Sequence, residues 1–361
     1  MGTRTETEER SHQSHSHEHE HEHEHDHGPT KPRLSRKRLV WLIVGVAGIV
    51  GLLAMRGLVG EASGSPLPNQ VQDLLTLSFS VIIESLPFVV LGILLSIVVQ
   101  AWLPDGILMR YLPRNPVLRR LCISMFGVVL PVCECGNVPL SRGLIIKGFT
   151  VSESMTLLLA APIINPITII TTHQAFGFDD GILVARIVGG LAIANIVGWL
   201  FSLHPRQFDL LTPKFAAECR RPDGHDHETR VGKSLGIFVR ESSVIMPALF
   251  IGALVAGAIQ TAVPRDVLVQ LGSNPLWSIL AMMVLAFVIA VCSSVDAFFI
   301  LPFASTFMPG SIVTFLVFGP IIDIKMLAIL RTTFTTKVLV QLTIMVGLLS
   351  ALLGLVVNYV A

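Results

Sequence analysis

The apolar runs decide the class of this chain before any motif is read. From Leu39 onward they lie at about 39–59, 72–102, 150–173, 182–203, 234–263, 311–331 and 336–360. Several exceed the ~20 residues that a helix needs to cross a bilayer. Hydrophobic residues make up 52% of the sequence and charged residues 14%, where a soluble protein is about 25% charged. The mean hydropathy is +0.69. Long apolar runs suit helices, which satisfy every backbone group inside lipid. The expected class is an all-α polytopic membrane protein. A net charge of +1 adds little, because charge here is sorted by location and the total hides the sorting.

Two further apolar stretches, 118–147 and 276–305, are interrupted near the middle by polar residues. The first interruption, Pro131 to Leu140, reads Pro-Val-Cys-Glu-Cys-Gly-Asn-Val-Pro-Leu. Polar, irregular backbone at membrane depth is tolerated only where protein buries it or where it lines a cavity. An ionisable group in such a place is a functional candidate by default. Basic residues collect on the cytoplasmic side of a membrane. Arg110, Arg114, Arg119 and Arg120 flank the start of this stretch, and Arg142 and Lys147 flank its end. The linker 204–233 holds Arg206, Lys214, Arg220, Arg221, Arg230 and Lys233, whereas the loop 176–181 carries Asp179 and Asp180 and no base. This sorting predicts that the stretch enters and returns on one side, as a re-entrant hairpin.

Residues 1–38 form a polar tail that cannot bury a core, so disorder is expected while it is unbound. Eight of the twelve histidines lie there, and His15, His17, His19, His21, His23, His25 and His27 alternate largely with carboxylates. Such a tract is a multidentate surface for zinc, nickel or copper(II). Incidental metal affinity of a solvated tail is the plainer alternative, and no cofactor is expected to be obligatory. The basic cluster Lys31–Arg38 directly before an extra span at 39–60 puts the N-terminus in the cytoplasm. No cleavable signal peptide is expected before that span. His225-Asp-His227 in the linker resembles a fragment of the tail, and reads equally as a polar loop.

A repeat emerges when the second half is laid under the first. Pro87 matches Pro247 and Pro104 matches Pro264 at a spacing of 160. Pro116 with Pro275, Cys133 with Cys292 and Asn137 with Asp296 lie 159 apart. Pro162 with Pro320 and Asn165 with Asp323 lie 158 apart. The expected organisation is permease repeat 1 at 72–203, the cytoplasmic linker at 204–233 and permease repeat 2 at 234–360. If each interrupted stretch is a hairpin, each repeat crosses three times, and the copies are inverted. Inverted repeats with discontinuous helices meeting near the midplane typify secondary transporters. If the stretches are full spans, the repeats are parallel.

Five cysteines, Cys122, Cys133, Cys135, Cys219 and Cys292, do not read as an extracellular disulfide framework. Cys133 and Cys135 are one residue apart, so a turn can aim both sulfurs at one ligand, and Cys292 adds a third if the two tips meet. Thiolates select copper(I), zinc or thiophilic metalloids, although a free cysteine is often only a small buried hydrophobe; Cys122 reads that way. Glu84, Glu134, Asn137, Asn165, Asp296 and Asp323 are the polar candidates for a transport site. A carboxylate among apolar groups can hold a proton near neutral pH, so the carboxylates are possible proton carriers or cation ligands. Asn165 and Asp323 can instead cap broken helices. Lys325 either neutralises Asp323 or lies at a membrane surface, and Glu241 either faces the pathway or, beside Arg240, sits at a membrane surface. No Walker loop, Ser/His/Asp set or flavin-type glycine fingerprint is present. An enzyme is not expected, nor is a nucleic-acid partner.

At Pro-Val-Cys-Glu-Cys-Gly-Asn-Val-Pro, Ala-Pro-Ile-Ile-Asn-Pro and Ser-Ser-Val-Asp-Ala-Phe-Phe, the sequence resembles the bacterial predicted permease family, which includes organoarsenical efflux permeases. The resemblance covers about 72–360. It implies an inner-membrane permease without an ATPase domain of its own, and in the arsenical branch a cysteine site, matched here by Cys133, Cys135 and Cys292. Glu134 departs from the small hydroxyl residue that the branch places between its cysteines, and favours a divalent cation. The combined expectation is secondary efflux of a soft metal or metalloid, with the proton as any coupling ion. Alternatives are an organoarsenical exporter with an irrelevant tail, or a thiol-redox module dependent on a second membrane or extracytoplasmic subunit.

Overall fold

A computed structural model describes residues 69–104, 106–129, 132–178, 181–220, 229–262 and 275–360. The histidine tail, the span at 39–60, His225, His227 and the acidic pair Asp179/Asp180 lie outside the described residues. Within them the chain is helical, with an isolated bridge between Leu211 and Phe334 and no strand. Helix α1 (Asn69–Ile97) runs on through a π-helical turn, Val98–Trp102. Then come α2 (Ile107–Tyr111), α3 (Pro116–Ser124), α4 (Phe126–Val129), α5 (Glu134–Ile146), α6 (Val151–Ala160), α7 (Pro166–Phe176) and α8 (Ile182–Ser202). The linker contributes α9 (Pro213–Cys219), and the second half comprises α10 (Arg230–Ala262), α11 (Pro275–Ile289), α12 (Asp296–Ile300), α13 (Pro309–Ile321), α14 (Ile324–Leu330) and α15 (Thr336–Val360).

Val71–Trp102, Ile182–Ser202, Arg230–Thr261, Pro309–Leu330 and Thr336–Val360 are long and apolar enough to cross a membrane. Their outward side chains, among them Val188, Ile251, Leu348 and Leu352, are exposed and apolar, as a lipid-facing surface requires because lipid tails are as apolar as leucine. The expected continuous span at 150–173 is instead a helix pair. Pro166 begins α7, where its missing N–H is not needed, and Asn165 Oδ1 accepts from Ile167 N at 2.9 Å. The span expected at 311–331 divides likewise: Asp323 Oδ1 accepts from Met326 N at 2.5 Å and opens α14. Both residues are therefore N-caps of broken helices.

Both interrupted stretches double back. Arg119 in the first turn of α3 pairs with Glu153 at 2.7 Å. Glu153 lies just beyond the end of α5, in a reciprocal capping box with Thr150, so the two ends of 116–146 lie together. In the second half, Ser278 near the start of α11 hydrogen-bonds Ser311 near the start of α13, which returns the chain in the same way. The linker is not a free loop: α10 already begins at Arg230, and Phe215 of α9 is buried in the core.

Candidate functional site

Three helix breaks converge on Glu134. In the first, Val132 and Cys133 are non-helical, and α5 starts at Glu134. Asn165 Nδ2, from the break between α6 and α7, donates to Val132 O at 3.1 Å and fixes that tip. The second break, between α11 and α12, carries Ala290 at φ 51, the left-handed region that a side chain disfavours. Strain of that kind gathers at functional sites. From this break, Cys292 Sγ and Ser293 Oγ donate to Glu134 Oε2 at 3.6 and 3.3 Å. Past the third break, Lys325 of α14 donates from Nζ to Glu134 Oε1 at 3.2 Å, and its nitrogen lies 3.9 Å from Asp323 Oδ2.

The donor atoms of Cys133, Glu134 and Cys135 lie within 4.8 Å of one another, and all three residues are buried. The sulfurs are free thiols. Cys135 Sγ contacts Ser85 Oγ on α1 at 3.9 Å, and neighbouring Glu84, half-buried, lies within electrostatic reach of Lys325 and Glu134. Asn137 follows Glu134 on the same face of α5. It is 1% exposed, yet neither its Oδ1 nor its Nδ2 has a hydrogen-bond partner, and Ser141 Oγ one turn further on has none either. A buried polar side chain left unpaired is costly unless water or a ligand completes it. Two thiols and a carboxylate thus lie in one small region, with an unpaired amide and hydroxyl further along the same helix.

Of the expected residues, Cys133, Glu134, Cys135, Cys292 and Asp323 come together around Lys325, and Glu84 is within electrostatic reach. Asp296 is within electrostatic reach of Glu134, but its hydrogen bonds go to another partner. Its two carboxylate oxygens accept from Arg186 on α8 at 3.0 and 2.5 Å, and Arg186 also reaches Thr172 on α7 at 2.7 Å. Lys325 is buried at the site rather than at a membrane surface. Glu241 is also buried, which removes the membrane-surface alternative, and Arg142 donates to it at 2.8 Å. Arg142 is accordingly a buried residue of α5 and not a flanking loop charge. A buried charge needs such a partner.

Arg142 further binds Glu218 at 3.2 Å and Thr333 Oγ1 at 3.3 Å, and its guanidinium lies 4.0 Å over the Phe215 ring. Arg240 extends the network to Glu218 at 2.6 Å and Gln100 at 2.8 Å. Burial, then Glu218, pushes the adjacent Cys219 thiol up to about 11. Its alkylation by iodoacetamide should therefore keep accelerating toward pH ~11, past the ordinary thiol value near 8.5, as mass spectrometry of timed reactions would record; a plateau near pH 9 would contradict that environment. The sequence reading missed Arg186 and the partners of Arg142. A lone arginine inside an apolar run was the available signal.

Among the described residues, five helices long and apolar enough to cross a membrane, packed with shorter broken helices that bury charged and thiol side chains, define a multi-pass membrane protein. Residues 70–359 match the sequence family described as "Predicted permease". The chain belongs to that family. It is 36% identical over 258 residues to UPF0718 protein YcgR of Bacillus subtilis, covering 72% of this chain and 87% of that protein. A Streptococcus mutans protein named "Putative two-component membrane permease complex subunit" is 34% identical over 278 residues, covering 76% of this chain and 91% of that one. UPF0718 protein MJ0584 of Methanocaldococcus jannaschii is 23% identical over 132 residues, 37% of this chain and 36% of that protein. No solved structure matches the chain. These likenesses suggest a transporter rather than an enzyme.

Proposed function

We propose that this chain is a secondary permease that exports a soft metal or metalloid species through a site formed by Cys133, Glu134, Cys135 and Cys292. The observation that carries the reading is the buried thiol–carboxylate cluster where the helix breaks converge. Soft thiolates select copper(I), zinc or trivalent metalloids over hard cations. The trivalent organoarsenical alternative uses the thiols alone, and the existing Glu134–Lys325 pair suits it, because the site is then already neutral. Outward direction follows from the N-terminal histidine tract, which would collect zinc, nickel or copper for a cytoplasmic entrance, and the proton is the proposed coupling ion. The plasma membrane is the proposed location, with the N-terminus in the cytoplasm.

Two inverted repeats, at 72–203 and 234–360, are part of the same proposal. Several contacts recur at matching positions. Arg119–Glu153 and Ser278–Ser311 join residues 159 and 158 apart. Asn165 and Asp323 cap corresponding helices. Thr156 and Thr314 each bond the carbonyl four residues back, and each packs where a glycine of the next span, Gly198 or Gly354, leaves room. Stretches that double back about these contacts suit re-entrant hairpins, and rocking one repeat against the other would alternate access. The Streptococcus mutans relative's name also favours a second subunit, on which a thiol-redox reading would depend.

The deciding experiment is uptake of zinc, copper(I) and methylarsenite into inside-out vesicles, for wild type and for Cys133→Ser/Cys135→Ser, with and without a pH gradient. Accumulation of one species that is lost in the double variant is the expected outcome. Absence of transport for all three by a folded protein would remove the soft-metal reading and favour the partner-dependent one.

A further inference from the structure

Lys325 is the part of the site that no thiol chemistry requires. Its ammonium is buried in the position where a cation bound to Glu134 would have to sit, 3.2 Å from Oε1. Glu134 Oε2 is already engaged by Cys292 and Ser293, so Oε1 is the oxygen through which the carboxylate can meet an incoming cation. Lys325 has a second acceptor within a small side-chain swing. Asp323 Oδ2 is 3.9 Å away and has no hydrogen-bond partner of its own, whereas Oδ1 is committed to capping α14 through Met326 N. A buried carboxylate oxygen left open beside a buried ammonium is a place for that ammonium to move to.

We infer that Lys325 is a tethered counter-cation: it occupies Glu134 Oε1 in the empty carrier and transfers to Asp323 Oδ2 when a thiophilic cation binds Cys133, Glu134 and Cys135. This rests on the soft-metal permease reading and narrows it to substrates that carry positive charge. Two things follow from the geometry. The empty carrier can reorient without a bare Glu134 charge, since the lysine travels with the site. The loaded carrier does not need the lysine at Glu134, since the cargo has replaced it. Lys325 is thus a positioning residue with different importance for the two halves of the cycle.

The test uses the full-length protein in proteoliposomes with radiolabelled zinc, copper(I) and methylarsenite, and separates net uptake from exchange across vesicles loaded on both sides. For a cation, Lys325→Met should lower net uptake by about a hundredfold, since an unpaired buried charge must cross with the empty carrier. Exchange should stay within about threefold of wild type, because only the loaded form then moves. Methylarsenite, which is neutral, should show no such split. Asp323→Asn keeps the helix cap and serves where Lys325→Met does not fold; it should weaken zinc binding about tenfold, because the displaced ammonium loses its second acceptor. Equal loss of net uptake and exchange in a folded Lys325→Met protein, or retention of both, would overturn the inference while leaving the permease reading intact. Unaltered zinc binding by Asp323→Asn would overturn it as well. A wild type that moves none of the three probes removes the permease reading and this inference together.

Discussion

Arg186→Met is expected to destabilise the protein by about 3–5 kcal/mol, the usual consequence of removing one partner from a buried ion pair. Arg186 and Asp296 are 0% and 1% exposed, and the two hydrogen bonds between them leave the Asp296 carboxylate no other charged partner of comparable proximity. Removing the arginine strands that carboxylate at the start of α12 and also frees Thr172 on α7. Arg186→Met/Asp296→Leu should recover most of the loss, because replacing a whole buried pair by apolar groups of similar volume is often neutral. Thermal unfolding of the purified protein in detergent reads both numbers. A double variant as unstable as the single one would show that packing of the arginine stem, not the charge, is what the site needs. The same reasoning extends to two other buried pairs. Arg142–Glu241, Arg186–Asp296 and Lys325–Glu134 join residues 99, 110 and 191 positions apart, so every one of them ties the first half of the chain to the second.

Those separations explain which parts of the site were legible in the sequence. Class, interrupted stretches and the thiol pair could be read because each is local: hydropathy over ~20 residues, or five adjacent letters from Cys133 to Asn137. The partners could not. An arginine inside an apolar run announces that a buried acid must exist somewhere, and nothing nearby says which of several it is. Arg142 was misassigned for this reason, as it lies close enough to Lys147 to pass for a flanking charge. The breaks at Asn165 and Asp323 were half legible. Ala161, Pro162, Ile163 and Ile164 are all apolar, so hydropathy does not fall where α6 ends, and only Asn165 before Pro166 betrays a new helix start. The tilt of charge toward one flank suggested a chain that turns back, and the Arg119–Glu153 contact brings together residues on either side of the first interrupted stretch.

Gly92→Ala should be among the most damaging small substitutions in the molecule. A Cβ at Gly92 would fall 2.0 Å from the Gly136 carbonyl oxygen, and one at Gly136 would fall 2.3 Å from the Phe88 carbonyl oxygen. Both obstacles are backbone, so no side-chain rotation can relieve them, and α1 must part from α5. That is why a glycine stands in the middle of Cys-Glu-Cys-Gly-Asn: the hairpin limb bearing the thiols is laid directly against α1, as small residues permit wherever membrane helices approach closely. Parting the helices draws Cys135 away from Ser85 and Glu134 away from Lys325, contacts that hold at 3.9 and 3.2 Å. Overpacking of this kind costs about 1–3 kcal/mol and occasionally more, and loss of geometry at the site should abolish transport even where the protein still folds. Gly236→Ala on α10 is the matched control, since nothing lies within 4 Å of its Cβ position; it should change stability by no more than ~1 kcal/mol, and in the favourable direction, because alanine suits a helix interior better than glycine. Thermal unfolding together with the rate of Cys135 alkylation separates the cases: Gly92→Ala should expose the thiol and Gly236→Ala should not. Equal behaviour of the two variants would mean that the α1–α5 crossing yields without disturbing the site, and that the glycine in the motif serves some other purpose.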